Sequence, residues 1–210
     1  MQSMSLDLYQ HLYQPATAPD LPTILALHGT GGNERDLLGL VHAIAPGCGV
    51  LSLRGNVSER GMPRFFRRFA EGVFDLEDVQ VRAGQIATFV AAAATHYGFA
   101  ANNIYALGYS NGANIAIATL LLHPQTMRGA ILLRAMATYV PPTLPNLAGK
   151  GLFLSNGEHD PLMTPEQSKA LYSLLQDAGA SITMAWQPAQ HGLIQSDVEM
   201  AAGWFNALIA

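Results

Sequence analysis

Ile104-Tyr105-Ala106-Leu107-Gly108-Tyr109-Ser110-Asn111-Gly112-Ala113-Asn114-Ile115 is an apolar, β-compatible run that ends in Gly-x-Ser-x-Gly and enters an Ala- and Leu-rich segment reaching His123. The order is strand, sharp turn, helix. A serine in such a turn takes a strained backbone conformation above the sheet, and Gly108 and Gly112 let strand and helix approach without Cβ clashes. The five-residue pattern is loose, and a Gly-Ser turn that only joins a buried strand to a buried helix satisfies it equally. Residues elsewhere in the chain must decide.

Upstream, Leu6, Leu8 and Leu12 interleave with polar residues and suggest an edge strand before Pro15. Thr23 to Leu27 and Val50 to Leu53 are continuous apolar runs, the signature of strands buried on both faces of a parallel sheet. Between them Asn33 is positioned to cap a helix bearing Leu37, Leu38, Val41 and Ile44. Arg54 to Leu76 is the longest irregular stretch, and Asp75 to Tyr97 is helical by its Val79, Ile86, Phe89, Val90 and Ala93 spacing. Downstream, strands are expected at Ala130–Leu133, Gly151–Ser155 and Ile182–Trp186. Thr164-Pro165-Glu166-Gln167 opens one helix, and Ser196-Asp197-Val198-Glu199 reads as a capping box for the last, with Met200, Trp204 and Leu208 on its inner face. Strands alternate with helices throughout, which predicts an α/β fold: a doubly wound, mostly parallel sheet in a three-layer αβα arrangement. Residues 1–210 are expected to form one domain.

Composition narrows the function. Half of the 210 residues are hydrophobic, 12% are charged, and the net charge is −4. The sequence therefore has no electrostatic footprint for nucleic acid or an anionic membrane. Met1 to Asp7 shows neither a basic nor an apolar leader region, and no apolar run reaches the roughly 20 residues a bilayer requires, so a cytoplasmic protein without stable membrane insertion is expected. The single cysteine, Cys48, sits in a helix-to-strand connection with no adjacent histidine and reads as a structural thiol.

Ligands of doubly wound sheets bind outside the carboxyl ends of the strands. His28 to Gly32, Ser110, Asp160 and His191 each fall just past an expected strand. A serine hydroxyl becomes a good nucleophile when an imidazole accepts its proton and a carboxylate fixes that imidazole. Ser110, Asp160 and His191 supply these groups in the chain order Ser, Asp, His, which is the α/β-hydrolase order. Among seven histidines only His191 lies in a loop after the last strand; Glu158 shares the strand-end loop of Asp160, but Pro161 stiffens the loop behind Asp160. For the oxyanion, the backbone amide of Asn111 is one donor, and the amide of Thr30 is the second, with Gly31 as the alternative. A phosphate-binding glycine loop would need a Lys-Ser/Thr ending that is missing here, and no His-x-x-x-His or clustered carboxylate spacing suggests a metal.

Taken together, His28-Gly29-Thr30-Gly31-Gly32-Asn33-Glu34, Met62-Pro63-Arg64-Phe65-Phe66-Arg67-Arg68, Gly108 to Asn114, Gly157 to Pro161 and His191-Gly192-Leu193 resemble the bacterial phospholipase/carboxylesterase family, its hydroquinone-resistance hydrolases in particular. The resemblance runs over nearly the whole chain. It implies a cofactor-free serine esterase of the α/β-hydrolase fold without a large cap domain, acting on a small-molecule ester, with Ser110 as nucleophile, Asp160 orienting and His191 as base. Thioesters and lactones are alternative substrates of the same triad, a non-catalytic binding protein is an alternative role for the fold, and a homodimer is a further expectation from the likeness. The chain departs from the family pattern at Gln190-His191-Gly192-Leu193, where Gly-His-Gln-Leu is expected, and at Leu133-Arg134-Ala135, where Leu-Arg-Pro is expected.

Phe65 and Phe66, with Met62, are candidate walls of an acyl or aromatic pocket in which an arginine of the same loop holds a polar end of the substrate, and Met163 and Leu193 complete the substrate-binding candidates. The competing reading makes the phenylalanines core anchors of a long loop and pairs the arginines with Glu71 and Asp75.

Overall fold

A computed structural model describes residues 6–210. Residues 1–5 of the opening stretch read for a leader lie outside them. The strands are β1 (His11–Gln14), β2 (Thr23–Leu27), β3 (Gly49–Leu53), β4 (Val57–Glu59), β5 (Met62–Arg64), β6 (Arg68–Ala70), β7 (Val73–Phe74), β8 (Ile104–Tyr109), β9 (Gly129–Leu133), β10 (Gly151–Gly157) and β11 (Ser181–Gln187). The helices are α1 (Leu38–Ile44), α2 (Leu76–Tyr97), α3 (Asn111–Leu122), α4 (Pro165–Asp177) and α5 (Gln195–Ile209).

Seven strands form the central sheet in the order β1-β3-β2-β8-β9-β10-β11. β1 pairs antiparallel with β3, and every other neighbour pair is parallel. Every residue of β2, β3 and β9 is buried, because helices cover both faces of the sheet. Alternate residues serve opposite layers. Leu25 and Leu27 join the cluster made with α2, α3 and α4, which includes Val79, Phe89, Ile115 and Leu171. Ile24 and Ala26 join the cluster made with α1 and α5, which includes Val41, Ile44 and Phe205. Full burial of each such large side chain contributes about 1.5–3 kcal/mol, so this three-layer arrangement rests on its two apolar interfaces. The fold is that of the α/β-hydrolases.

Local signals set the helix ends. The Asp75 carboxylate accepts from the Asp78 amide to start α2, and Gly98, at φ 77°, ends it. Thr164 and Gln167 form a reciprocal capping box with Pro165 in the first turn of α4.

Four expectations are corrected. The edge strand lies at His11–Gln14, later than the Leu6–Leu12 pattern suggested. Asn33 does not cap α1, which begins after Leu37 without a side-chain cap; its Oδ1 instead accepts from the Arg35 amide, and its Nδ2 donates to Asp36. The stretch from Arg54 to Leu76 holds two hairpins, β4–β5 and β6–β7; the first turns at Arg60-Gly61, where both residues have positive φ as a two-residue turn requires. Helix α5 begins at Gln195, with Asp197 accepting from the Ile194 amide, and its inner face carries Ala201 and Phe205, whereas Met200 and Leu208 are 46% and 37% exposed.

Candidate active site

Ser110 follows β8 directly and holds φ 51°, ψ −115°, the strained turn its sequence demands. Two glycines make the turn feasible. A Cβ on Gly108 would lie 2.6 Å from the backbone of Ala113, and one on Gly112 would overlap the Leu27 carbonyl. Strand, turn and helix thus pack at distances only glycine allows.

Asp160 lies just beyond β10 and His191 just beyond β11, so both reach the same sheet edge as Ser110. His191 Nε2 is 2.9 Å from Ser110 Oγ, and His191 Nδ1 is 2.8 Å from Asp160 Oδ2. With Nδ1–H donating to the carboxylate, Nε2 is free to accept from the serine hydroxyl. The Asp160 side chain is fully buried, and its other oxygen accepts from the Leu162 amide at 2.9 Å. Glu158, the alternative carboxylate, is exposed.

The loop after β2 is held from several sides. His28 Nδ1–H donates to the Gly29 carbonyl at 2.6 Å, and its Nε2 accepts from the Gly55 amide at 2.9 Å. Burial pushes the imidazole below its usual value, consistent with a neutral ring. The Gly31 amide donates to the Pro63 carbonyl at 2.9 Å, which commits the alternative oxyanion donor elsewhere. The Thr30 and Asn111 amides have no hydrogen-bond acceptor among the described residues. The Thr30 hydroxyl accepts from Arg64 at 2.7 Å, tying this loop to the first hairpin.

A cavity of about 220 Å³ opens over Ser110, lined by Thr30, Asn111 and His191 and by the apolar side chains Phe74, Met136 and Leu162. Phe74 and Met136 also border a second, larger groove of about 800 Å³ against α4, with Val73, Leu76, Val140 and Leu174. Phe65 and Phe66 are not part of either wall. Both are fully buried in the core, where Phe65 packs on His28 and Phe66 on Phe74. This corrects their assignment as substrate-binding residues: the hairpin stretch turns them inward as anchors, while Arg67 pairs with Asp75 and Arg68 with Glu59 and Glu71. Met62 is 41% exposed, and Met163 is buried at the start of the α4 segment; neither lines the cavity over Ser110. Leu193 lines a separate depression with Leu37, Leu40 and Tyr109 on the far side of the Gly29–Thr30 loop. Among the described residues no three His, Cys, Asp or Glu side chains gather as a metal site.

No protein-family model matches the chain. It is 43% identical over 200 residues to the Bacillus subtilis protein named "Putative hydrolase MhqD", covering 95% of this chain and 99% of that one. The chain belongs to the bacterial phospholipase/carboxylesterase family of α/β-hydrolases. A carboxylesterase from Bacillus cereus superposes with a TM-score of 0.95 at 43% identity, over 98% of this chain and 97% of that one. A carboxylesterase from Mesorhizobium loti superposes with a TM-score of 0.87 at 28% identity, over 94% of each chain. This member of the phospholipase/carboxylesterase family is a carboxylesterase-type hydrolase.

Sequence reasoning on this family member missed Phe74, Met136 and Leu162 at the cavity and Arg134 beneath it. Arg134 is buried and pairs bidentately with Asp197, at 2.8 and 2.9 Å. An arginine directly after an all-apolar strand, in a chain with few charges, was the available signal.

Proposed function

We infer that the protein cleaves carboxylic esters through an acyl-Ser110 intermediate. The observation that carries this reading is the His191 ring lying within hydrogen-bond distance of both Ser110 and Asp160. As His191 Nε2 takes the hydroxyl proton, Ser110 Oγ bonds to the carbonyl carbon, and the negative oxygen is received by the Thr30 and Asn111 amides. Asp160 holds the imidazole in the required tautomer and stabilises its charged form. The imidazolium then protonates the departing alcohol oxygen as the C–O bond breaks. Water, deprotonated by the same ring, releases the acid and restores Ser110. Phe74, Met136 and Leu162 give the cavity an apolar wall suited to the hydrocarbon part of a small-molecule ester.

The test is direct. Incubation with a fluorophosphonate is expected to add its mass at Ser110, and p-nitrophenyl esters of graded length are expected to turn over in the wild type and not in Ser110→Ala. Absence of both labelling and turnover would sink the assignment, and an acyl-thioester and a lactone in the same panel establish which leaving groups the site accepts.

A further inference from the structure

His191 stands between β11 and α5 in a segment without regular structure, so no sheet or helix ladder fixes its backbone. Three consecutive carbonyls there are nevertheless each held by a side chain. Arg134 Nε donates to the Gln190 carbonyl at 3.1 Å, the Tyr109 hydroxyl donates to the His191 carbonyl at 3.1 Å, and Arg134 Nη2 donates to the Gly192 carbonyl at 2.9 Å. Fixing the peptide planes on both sides of a Cα fixes the direction of its Cα–Cβ bond. The aim of the imidazole is therefore set from below.

The guanidinium is itself fully engaged. Its five N–H groups meet Gln190 and Gly192 carbonyls, both oxygens of Asp197, and the carbonyl of Ser155 at 3.2 Å. Asp197 also accepts from the Ser155 hydroxyl and, at 2.8 Å, from the Ile194 amide at the head of α5. Both charged side chains are inaccessible to solvent. A buried ion pair is weak evidence of a gain in stability, because desolvation offsets most of the attraction. Arg134 also holds φ 56°, which is unfavourable for a residue with a Cβ. A charged pair and a strained backbone, converging under one histidine, point to a role in geometry.

We propose that Arg134, seated on Asp197, and the Tyr109 hydroxyl are positioning residues that hold the His191 imidazole in line with Ser110; this rests on the Ser110-Asp160-His191 reading. Lysine cannot replace the arginine, since a single ammonium cannot span two carbonyls and a bidentate carboxylate.

The full-length protein tests this with Arg134→Lys and Tyr109→Phe, assayed on p-nitrophenyl acetate. Arg134→Lys is expected to lower kcat about 10–100-fold, and Tyr109→Phe about fivefold, each with KM within about twofold of the wild type. The low-field proton NMR resonance of His191 Nδ1–H is expected to be sharp in the wild type and to broaden or vanish in both variants. Tyr109→Phe removes one hydroxyl and is expected to keep the wild-type melting temperature to within a few degrees, so it decides alone if Arg134→Lys does not fold. Wild-type kcat and an unchanged resonance in the folded variants would overturn the proposal. Fluorophosphonate labelling of wild-type Ser110 separates that outcome from failure of the triad reading, in which the wild type itself stays unlabelled.

Discussion

The amide nitrogen of Phe65 donates to the side-chain Oδ1 of Asn111 at 2.8 Å, joining the hairpin stretch to the residue that follows the nucleophile. Asn111 thus bridges two regions, with its backbone amide at the cavity and its side chain on the hairpin stretch. Asn111→Ala leaves a buried N–H without an acceptor, and an unsatisfied buried donor costs about 1–3 kcal/mol. Urea denaturation is expected to show a loss of that size, accompanied by faster proteolysis near residues 60–70.

Phe66 lies entirely inside the core and packs edge-on against Phe74. Phe66→Ala is therefore expected to cost about 3–5 kcal/mol of stability, and to shift relative rates across an ester series less than Met136→Ala does, because it reaches the cavity only through Phe74. Chemical denaturation and an ester panel on the same preparation check both halves.

On the proposed function, selectivity is expected to lie instead with the side chains that border both the cavity over Ser110 and the groove against α4. Met136 is one of them. Met136→Ala removes side-chain volume from the border of both spaces, and the ratio of kcat/KM for an octanoate over an acetate ester is expected to rise about threefold or more, within the range a change of pocket volume commands. A fixed ratio would show that the acyl chain leaves by another route.

His28 sets a pH dependence. Its imidazole, held below the usual 6.5 chiefly by burial, has Nδ1 donating to the Gly29 carbonyl and Nε2 accepting from the Gly55 amide. The unfolded chain takes up a proton near that ordinary value while the folded chain stays neutral, so stability is complete above it and declines as pH falls from about 6.5 toward the folded value. His28→Gln keeps an acceptor for Gly55 and does not titrate. The melting temperature of this variant is expected to fall less steeply than that of the wild type between about pH 7 and pH 5.

The sheet was legible because its strands are apolar on both faces, and the meeting of Ser110, Asp160 and His191 at one sheet edge was legible because each follows a strand. The hairpins were not, since strands of two or three residues carry no period to read. Phe65 and Phe66 showed that a residue is apolar without showing which way its loop turns. The start of α5 misled for a different reason: the Ser196–Glu199 spacing imitates a capping box, but the Ser196 hydroxyl donates to Gln187 at 2.6 Å, and the helix begins at Gln195 with Asp197 accepting from the Ile194 amide while it also pairs with Arg134, 63 residues away in sequence. Long-range pairing of that kind leaves no mark in local spacing.

The two hairpins enter the chain between β3 and α2, ahead of the strands that Ser110, Asp160 and His191 follow. The share of the cavity wall that Phe74 contributes is consequently encoded apart from Ser110, Asp160 and His191, whereas Met136 and Leu162 lie among them. Residues 56–74 form a cassette whose exchange among relatives is expected to alter the rim of the cleft and to leave the Ser110, Asp160 and His191 contacts in place, as long as the incoming segment presents a main-chain N–H to Asn111 and an arginine to Thr30.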